Sequence, residues 1–541
     1  MADITFGGTE EENAELKKLN AEVLEDPDNF ENWEKLVRAA EGQEGGINRN
    51  SNPQAITATR SVYDRFLAKF PLLFGYWKKY ADLEFSIAGT EAAEMVYERG
   101  VASITNSVDL WTNYCAFKVE TSHDADIIRD ADLVVIARTR GVDKYHQQKF
   151  LDGLFDRGVS CVGLDFLAHP FWDKYIEFEE RLEAQDKIFA ILGNVIDIPM
   201  HQYARYFERY RQMAQTRPVS ELVPPELLSQ FRAEVDGAAA GIPPGSKSEA
   251  EIERDLRLRI DTYHLEIFSR TQTETTKRWT YESEIKRPYF HVTELDEAQL
   301  SNWRKYLDFE EADGTFARVQ FLYERCLVTC AHYDEFWLRY ARWMLAQEGK
   351  EEEVRNIYQR ASTLYVPISR PEVRLHYAYF EELNGHDARQ VFQKNQQWYP
   401  DSRPFWTSYL MFELEQPTSA ETEDVQYQRI KQVIGDIRTK SSLPLAVAKE
   451  LVQVYMVYLL ERGSNEAAKE YMTLDREVNG PQSVEATLKP LADKDIQVKI
   501  PANQNGSQAP LVADSVGQPD QNPHKNHQQL TERPVSSNGS V

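Results

Sequence analysis

Cysteine is scarce in this chain. Only Cys115, Cys161, Cys326 and Cys330 occur among 541 residues, with no CxxC pair and no zinc-ligand spacing. Four scattered thiols make neither a disulfide framework nor a metal centre, and they point to a reducing compartment. Long apolar runs are missing too: none approaches the roughly 18 residues a membrane-spanning helix needs. The first residues, MADITFGGTEEENAELKK, are acidic and lack the apolar core of a signal peptide. The expectation is a soluble intracellular protein that does not touch a membrane. Basic charge is also short, with 62 Lys and Arg against 87 Asp and Glu and a formal net charge of −25. Such a balance repels phosphate backbones and excludes broad nucleic-acid binding, leaving room only for a local basic patch. It suits basic protein partners instead.

Signatures of catalysis are absent as well. GIPPGSKS (241–248) has the glycines of a phosphate loop but not its Gly-Lys-Ser order, and no strand precedes it. GVSCVG (158–163) is not a nucleophile elbow, and the eleven His show no ligand spacing. The sequence therefore predicts no catalytic residue, no metal and no cofactor, and a protein that is not an enzyme.

What the chain does have is aromatic residues, 11% of the total, in a regular pattern. A Trp-x-x-Tyr pair recurs as Trp77/Tyr80, Trp111/Tyr114, Trp172/Tyr175, Trp303/Tyr306, Trp337/Tyr340 and Trp406/Tyr409. An aromatic residue often follows six positions after the Trp, with Glu next to it, as in Phe178-Glu179, Phe309-Glu310 and Phe412-Glu413. Those offsets share one face of a helix, here called helix A. A second signal comes 22 or 23 residues after the Trp: an aromatic, one residue, then a base, as in Tyr97/Arg99, Tyr323/Arg325, Tyr358/Arg360 and Tyr427/Arg429. This is helix B. Trp77 to Trp111 and Trp303 to Trp337 are both 34 residues, and Arg374 stands in the Trp position of one copy. A period near 34 with two amphipathic helices is a helical-hairpin repeat, whose units stack because one hairpin cannot bury its own apolar face. The predicted fold is all-α, an α-solenoid in two blocks.

The expected organisation is a disordered N-terminus at 1–15, a first block at 16–212, a flexible Pro/Gly/Ala-rich linker at 213–250, one long charged helix at 251–285, a second block at 286–496, and a disordered polar tail at 497–541. The first block ends on a degenerate helix A read from Tyr203 and Tyr206. Two copies break the spacing. GQEGGINRNSNP (42–53) reads as an inserted loop, and the distance from Trp111 to Arg157 is 46 residues, restored to 23 if 131–153 is removed. That segment reads as an atypical insertion, either a genuine loop or translated intron.

The repeated residues Trp77, Tyr80, Arg99, Trp111, Tyr114, Arg157, Trp172, Tyr175, Trp303, Tyr306, Arg325, Trp337, Tyr340, Arg360, Trp406, Tyr409 and Arg429 are read as structural. Catalytic groups are not copied into every repeat, and an aromatic stripe at helical spacing is core far more often than a platform for stacked bases. The best basic cluster is Lys277, Arg278, Lys286 and Arg287, a candidate contact for RNA or an acidic partner against the plainer reading of a solvated helix end.

The aromatic helix A with its Glu, and the helix B Arg, resemble the half-a-tetratricopeptide (HAT) repeat over roughly residues 30–475. Three stretches go further: SVYDRFLAKFPLLFGYWKKYADLE (61–84), GLDFLAHPFWDKYIEFEE (163–180) and KRWTYESEIKRPYFHVTELDEAQLSNWRKYLDFE (277–310). They resemble the pre-mRNA-processing factor 39 family of HAT-repeat proteins, whose pattern lacks 131–153. That resemblance implies a nuclear, non-catalytic scaffold of the U1 small nuclear ribonucleoprotein (U1 snRNP), acting in 5′ splice-site recognition. It also implies a dimer through the second block, with itself or a HAT-repeat paralogue, for which Trp398, Tyr399, Phe405, Tyr455 and Tyr458, from the regions 398–412 and 451–460, are the candidate residues. The other partners would be U1 snRNP proteins, with U1 small nuclear RNA and pre-mRNA met indirectly. The alternatives are another HAT-repeat scaffold of 3′-end cleavage or ribosomal-RNA processing, and a direct RNA-binding protein.

Overall fold

The computed structural model of the chain describes residues 8–121, 153–238, 248–384, 388–419 and 421–479. Most of the inserted segment 131–153 and all of the tail 497–541 lie outside them. Among the described residues there are 22 α-helices and no strand. The first eleven are α1 (Glu10–Glu25), α2 (Phe30–Gly42), α3 (Pro53–Lys69), α4 (Phe74–Ala88), α5 (Thr90–Ser103), α6 (Val108–Thr121), α7 (Leu154–Val162), α8 (His169–Arg181), α9 (Gln185–Val195), α10 (Tyr203–Ala214) and α11 (Pro225–Ala238). The rest are α12 (Glu249–Glu282), α13 (Glu297–Asp313), α14 (Phe316–Thr329), α15 (Asp334–Leu345), α16 (Glu351–Arg360), α17 (Glu372–Leu383), α18 (Ala388–Asn395), α19 (Arg403–Glu415), α20 (Glu423–Thr439), α21 (Leu445–Arg462) and α22 (Asn465–Asn479).

Local chemistry sets many of these ends. Thr9 opens α1 with a capping box: its hydroxyl accepts from the Glu12 amide and the Glu12 carboxylate accepts from the Thr9 amide at 2.8 Å. The helix thus begins inside the stretch expected to be disordered, because a three-glutamate first turn and a capping box favour a start there. Ser248 and Glu251 make the same box for α12. Asn52 caps α3, with Pro53 as its first residue, and Ser402 caps α19. The expected linker 213–250 is partly helical, since α11 fills 225–238 and buries Phe231. An apolar anchor among the prolines and alanines overrides the composition.

The molecule divides into two compact units, residues 1–455 and 456–541. In the first unit the apolar interior has two parts. One runs from Leu16 to Ile267 and also takes in Phe290 and Ala331; the other runs from Leu295 to Phe380. Helix α12 serves both. It contributes Leu256, Ile260 and Ile267 to the first, and Tyr281 near its end packs against the second. In the second unit, the described residues comprise the end of α21 and α22, joined through Gly463 at φ +63°, a left-handed conformation that suits glycine.

One stacking contact repeats from hairpin to hairpin: the helix B aromatic lies flat on the Tyr of the next helix A. The pairs are Tyr63–Tyr80 at 4.6 Å, Tyr97–Tyr114 at 5.1 Å, Phe155–Tyr175 at 4.6 Å and Phe189–Tyr210 at 4.8 Å. In the second block they are Tyr281–Tyr306 at 5.0 Å, Tyr323–Tyr340 at 4.7 Å, Tyr358–Tyr377 at 5.7 Å and Phe392–Tyr409 at 4.9 Å. The contact corrects the register of the degenerate helix: α10 presents Phe207 and Tyr210 in the Trp and Tyr places, not Tyr203 and Tyr206. It also identifies the end of α12, carrying Tyr281, as the helix B that precedes α13. Close approach is built in at Gly158 on α7, where a Cβ would stand 2.5 Å from the Phe171 ring.

Candidate interaction surface

The Trp residues of the repeat are buried, and four of them have a hydrogen-bonded indole. Each of Trp77, Trp111 and Trp337 donates its indole N–H to the backbone carbonyl six residues earlier, at 2.8 Å. Trp172 uses the Gly163 carbonyl at 3.2 Å. The helix B guanidinium then covers the same ring: Arg99 over Trp77 and Arg157 over Trp111 at 5.4 Å, Arg325 over Trp303 at 5.9 Å, Arg360 over Trp337 at 5.3 Å. Trp406 is fully buried, and the carbonyl six residues before it, Pro400, accepts instead from the Ser442 amide at 2.7 Å.

These arginines also join neighbouring repeats. The residue after the helix B aromatic is an acid in five copies, Asp64, Glu98, Asp156, Glu282 and Glu324, and a base follows it in all but the Glu282 copy, where Ser283 stands. Each accepts from the Tyr hydroxyl of the next helix A, at 3.2 Å for Tyr80, 2.7 Å for Tyr114, 2.6 Å for Tyr175, 2.9 Å for Tyr306 and 3.0 Å for Tyr340. Four also take the Arg of the next helix B. Arg99 reaches Asp64 at 2.9 Å, while Arg157, Arg325 and Arg360 grip Glu98, Glu282 and Glu324 with both guanidinium nitrogens. This rung was missed in the sequence reading, which noted the aromatic and the base but passed over the residue between them.

A second set of pairs ties helix A back to the preceding helix B. Glu84, Glu310 and Glu381 are held by Arg60, Arg278 and Arg355, each at 2.7 Å, and Glu413 by Arg389. Between α5 and α6 the polarity is reversed, with Lys118 donating to Glu94 at 2.6 Å.

The rung at the junction of the two blocks is the most buried. Arg325 donates to Glu282 at 2.5 and 2.7 Å and lies 3.2 Å from Asp165, which comes from the loop between α7 and α8. Burial opposes the Arg325 charge, but Asp165 and Glu282 together hold its guanidinium above the ordinary value. Burial pushes the Asp165 carboxyl up, against the pull of Arg325.

Arg374, in the Trp place of α17, replaces the single carbonyl contact of an indole with a different set. Helix α16 ends in a π-turn over Ala361–Tyr365. The buried guanidinium donates to the carbonyls of Ser362 at 2.6 Å, Val366 at 2.9 Å, Arg370 at 3.1 Å and Pro367 at 3.2 Å. It thereby satisfies acceptors that the wider turn and the following loop leave open.

Several candidate residues sit otherwise than the sequence suggested. Arg278 is buried with Glu310 and Glu274, so it is not an RNA contact. Lys277 pairs with Glu274 at 2.8 Å, and Arg287 donates to Thr293 and to the Glu294 carbonyl. Lys286 is exposed. The cluster disperses because the helix turns Lys277 and Arg278 to different faces, while Lys286 and Arg287 lie beyond its end. Of the dimer candidates, Tyr399, Phe405 and Tyr455 are 3%, 1% and 0% exposed, so they are core of this chain and not surface. The reason is the same aromatic packing: Phe405 lies 5.9 Å from Phe392 and 5.3 Å from Tyr399. Tyr458 is half-buried, and Trp398 is exposed at 40%. On α21, Leu445, Val454, Val457 and Leu460 are exposed apolar residues that the candidate set passed over.

Rung residues line grooves of the stack, two of which bear on function. The larger, about 930 Å³, lies between the helix B faces of the two blocks, with the Arg99–Asp64 and Arg360–Glu324 pairs in its walls and Phe321 and Leu364 among its apolar lining. The smaller, about 480 Å³, is bounded by Gln359, Tyr377, Glu381, Lys394 and Trp398. Among the described residues no group of three or more His, Cys, Asp or Glu is placed to hold a metal ion. No described helix is long and apolar enough to cross a membrane.

Comparison with known proteins agrees with this architecture. Residues 17–212 match the family model described as PRP39 N-terminal HAT repeat, and residues 276–413 the one described as PRP39 C-terminal HAT repeat. The chain is 45% identical to Pre-mRNA-processing factor 39 of Schizosaccharomyces pombe, over 87% of this chain and 88% of that protein. It is 33% identical to Pre-mRNA-processing factor 39 of Homo sapiens, over 70% of this chain and 55% of the human protein, so it spans about half of that relative's length. It is 23% identical to the U1 small nuclear ribonucleoprotein component PRP42 of Saccharomyces cerevisiae, over 74% of this chain and 71% of the other.

Proposed function

The chain belongs to the pre-mRNA-processing factor 39 family of HAT-repeat proteins, and on that premise we propose that it is a nuclear, non-catalytic scaffold of the U1 snRNP supporting 5′ splice-site recognition. Membership supports a role in pre-mRNA splicing, and the similarity to a named U1 component supports the particle. The scaffold reading is carried by one observation: the polar side chains repeated along the stack are consumed in joining hairpins. Glu98, Glu282, Glu310 and Glu324 each hold a guanidinium and are turned toward a neighbouring repeat. What remains for function is the walls of the grooves, surfaces suited to protein partners. The dispersal of Lys277, Arg278 and Arg287 into internal pairs argues against direct RNA recognition at that cluster.

Pairing with a second copy or a HAT-repeat paralogue belongs to the same proposal. The exposed Leu445, Val454, Val457 and Leu460 on α21 are better contacts for it than the buried Tyr399, Phe405 and Tyr455. The scaffold reading is tested by gentle purification of the tagged protein from its own cells and sequencing of the accompanying RNA. Enrichment of U1 small nuclear RNA, lost when particle proteins are stripped away, is expected. Enrichment of another RNA, or of none, would return the function to HAT-repeat scaffolds in general. For the pairing, a monomer in sedimentation at micromolar concentration, unchanged by a paralogue, would sink it.

A further inference from the structure

The ladder of acid–arginine rungs stops before the stack does. In the last copies the residue between the helix B aromatic and base is Gln359, Gln393 and Gln428. Gln359 keeps the tyrosine half of the rung, donating to the Tyr377 hydroxyl at 3.2 Å. The cationic half is left over. Lys394 and Arg429, which occupy the places of Arg325 and Arg360, are exposed and have no ion-pair partner among the described residues. Lys394 and Gln359 are both in the wall of the 480 Å³ groove, beside the exposed Trp398. The acid in that wall, Glu381, is neutralised by Arg355 at 2.7 Å.

We propose that this groove binds an acidic segment of a partner protein, one of whose carboxylates seats between Lys394 and the Gln359–Tyr377 pair and completes the missing rung. The chemistry is that of the neighbouring rung, where Glu324 accepts from the Tyr340 hydroxyl at 3.0 Å and from Arg360 at 2.7 and 2.8 Å. Here the tyrosine and the cation are in place and the acid comes from outside. An apolar residue next to that acid has Trp398 to lie against. The charge match is local: a chain of net charge −25 repels an acidic segment over most of its surface, and this groove is where an uncompensated cation meets a concave wall. The inference deepens the scaffold reading and rests on it. The two fail separately, because loss of this groove leaves the RNA co-purification result untouched.

The test uses the full chain and two labelled peptides, one rich in glutamate and leucine and its counterpart with every glutamate replaced by glutamine, with binding read by fluorescence anisotropy. Wild type should bind the glutamate peptide preferentially, with affinity falling as salt rises. Lys394→Glu should weaken it about tenfold, and Gln359→Glu, which supplies the carboxylate from within, should compete it away to a similar degree. Both positions are exposed, so an unchanged or raised melting temperature accompanies the loss. Equal affinity for the two peptides, or binding undiminished in both variants, overturns the proposal. A preference for an RNA oligonucleotide overturns it in favour of phosphate. Impaired self-association in Lys394→Glu without a change in peptide binding overturns it in favour of a second copy.

Discussion

The helix B faces of α3, α5, α12 and α14 and those of α16 and α18 stack on the same tyrosine, but they present a different side chain to its hydroxyl. In the earlier group a carboxylate takes the tyrosine and the next arginine together, as Glu98 takes Tyr114 and Arg157. In the later group an amide takes the tyrosine alone, as Gln359 takes Tyr377. The ring stacking is common to both, at 5.1 Å for Tyr97–Tyr114 and 4.9 Å for Phe392–Tyr409. Stacked rings therefore suffice to set repeat against repeat, and the ionic rung is an addition that can be withdrawn. Where it is withdrawn, a cation on the face of the stack becomes available to something else.

The largest effect should come from converting the buried junction rung into an amide rung. Glu282→Gln leaves Arg325 with Asp165 as its sole counter-charge and should cost about 3 kcal/mol, read as a drop in chemical-denaturation stability. A cost near that of an exposed pair would mean the junction is solvated and that the two groups of repeats differ less than their geometry says. Next is Arg374→Ala, which strips four carbonyls of their donor inside the later group and should cost about 2–3 kcal/mol. Arg374→Trp should recover part of that loss, because the repeat is built around an indole in this place.

The pH response should come from the long helix and the first block. Burial holds the His264 imidazole below its ordinary value, beside the Tyr210 hydroxyl at 3.2 Å. The unfolded chain then takes up protons at a pH where the folded one does not, so stability falls as pH drops below the unfolded value of about 6.5. Glu98, held below the usual carboxylate range by Arg157 and Tyr114 in spite of its burial, adds a further loss lower down. Melting curves of His264→Phe should be flatter between about pH 5 and 7, and an unaltered slope would remove His264 from the account. The smallest effect is a gain. Gln359→Glu should extend the ionic ladder by one rung to Lys394 and add about 0.5 kcal/mol, no more, since both groups face solvent.

Much of this was legible beforehand. Trp77, Trp111, Trp303 and Trp337 announce the hairpins because a ring that must be buried at a fixed offset leaves a period in the sequence. The long helix read over 251–285 runs from Glu249 to Glu282 for a similar reason: it has no internal Pro or Gly, and its start is a capping box. The rung acids were present in the same letters, at Asp64, Glu98 and Glu324 one place before each Arg, but nothing local to one helix says what they bind. Their partners lie on the next repeat, 59 residues away for Glu98 with Arg157 and 36 for Glu324 with Arg360.

By itself, then, the sequence determined an all-helical stack, its unit length and which aromatic rings it buries, because helical periodicity and the burial of large rings act over one or two turns of chain. Only the tertiary structure decided which charges meet. It took Arg278 out of the surface and put it on Glu310, and it brought Asp165 of one block to Arg325 of the other. Among the described residues it also left Lys394 without an ion-pair partner. Ion pairing depends on distance in space and on exclusion of water, and neither is fixed until the hairpins have stacked.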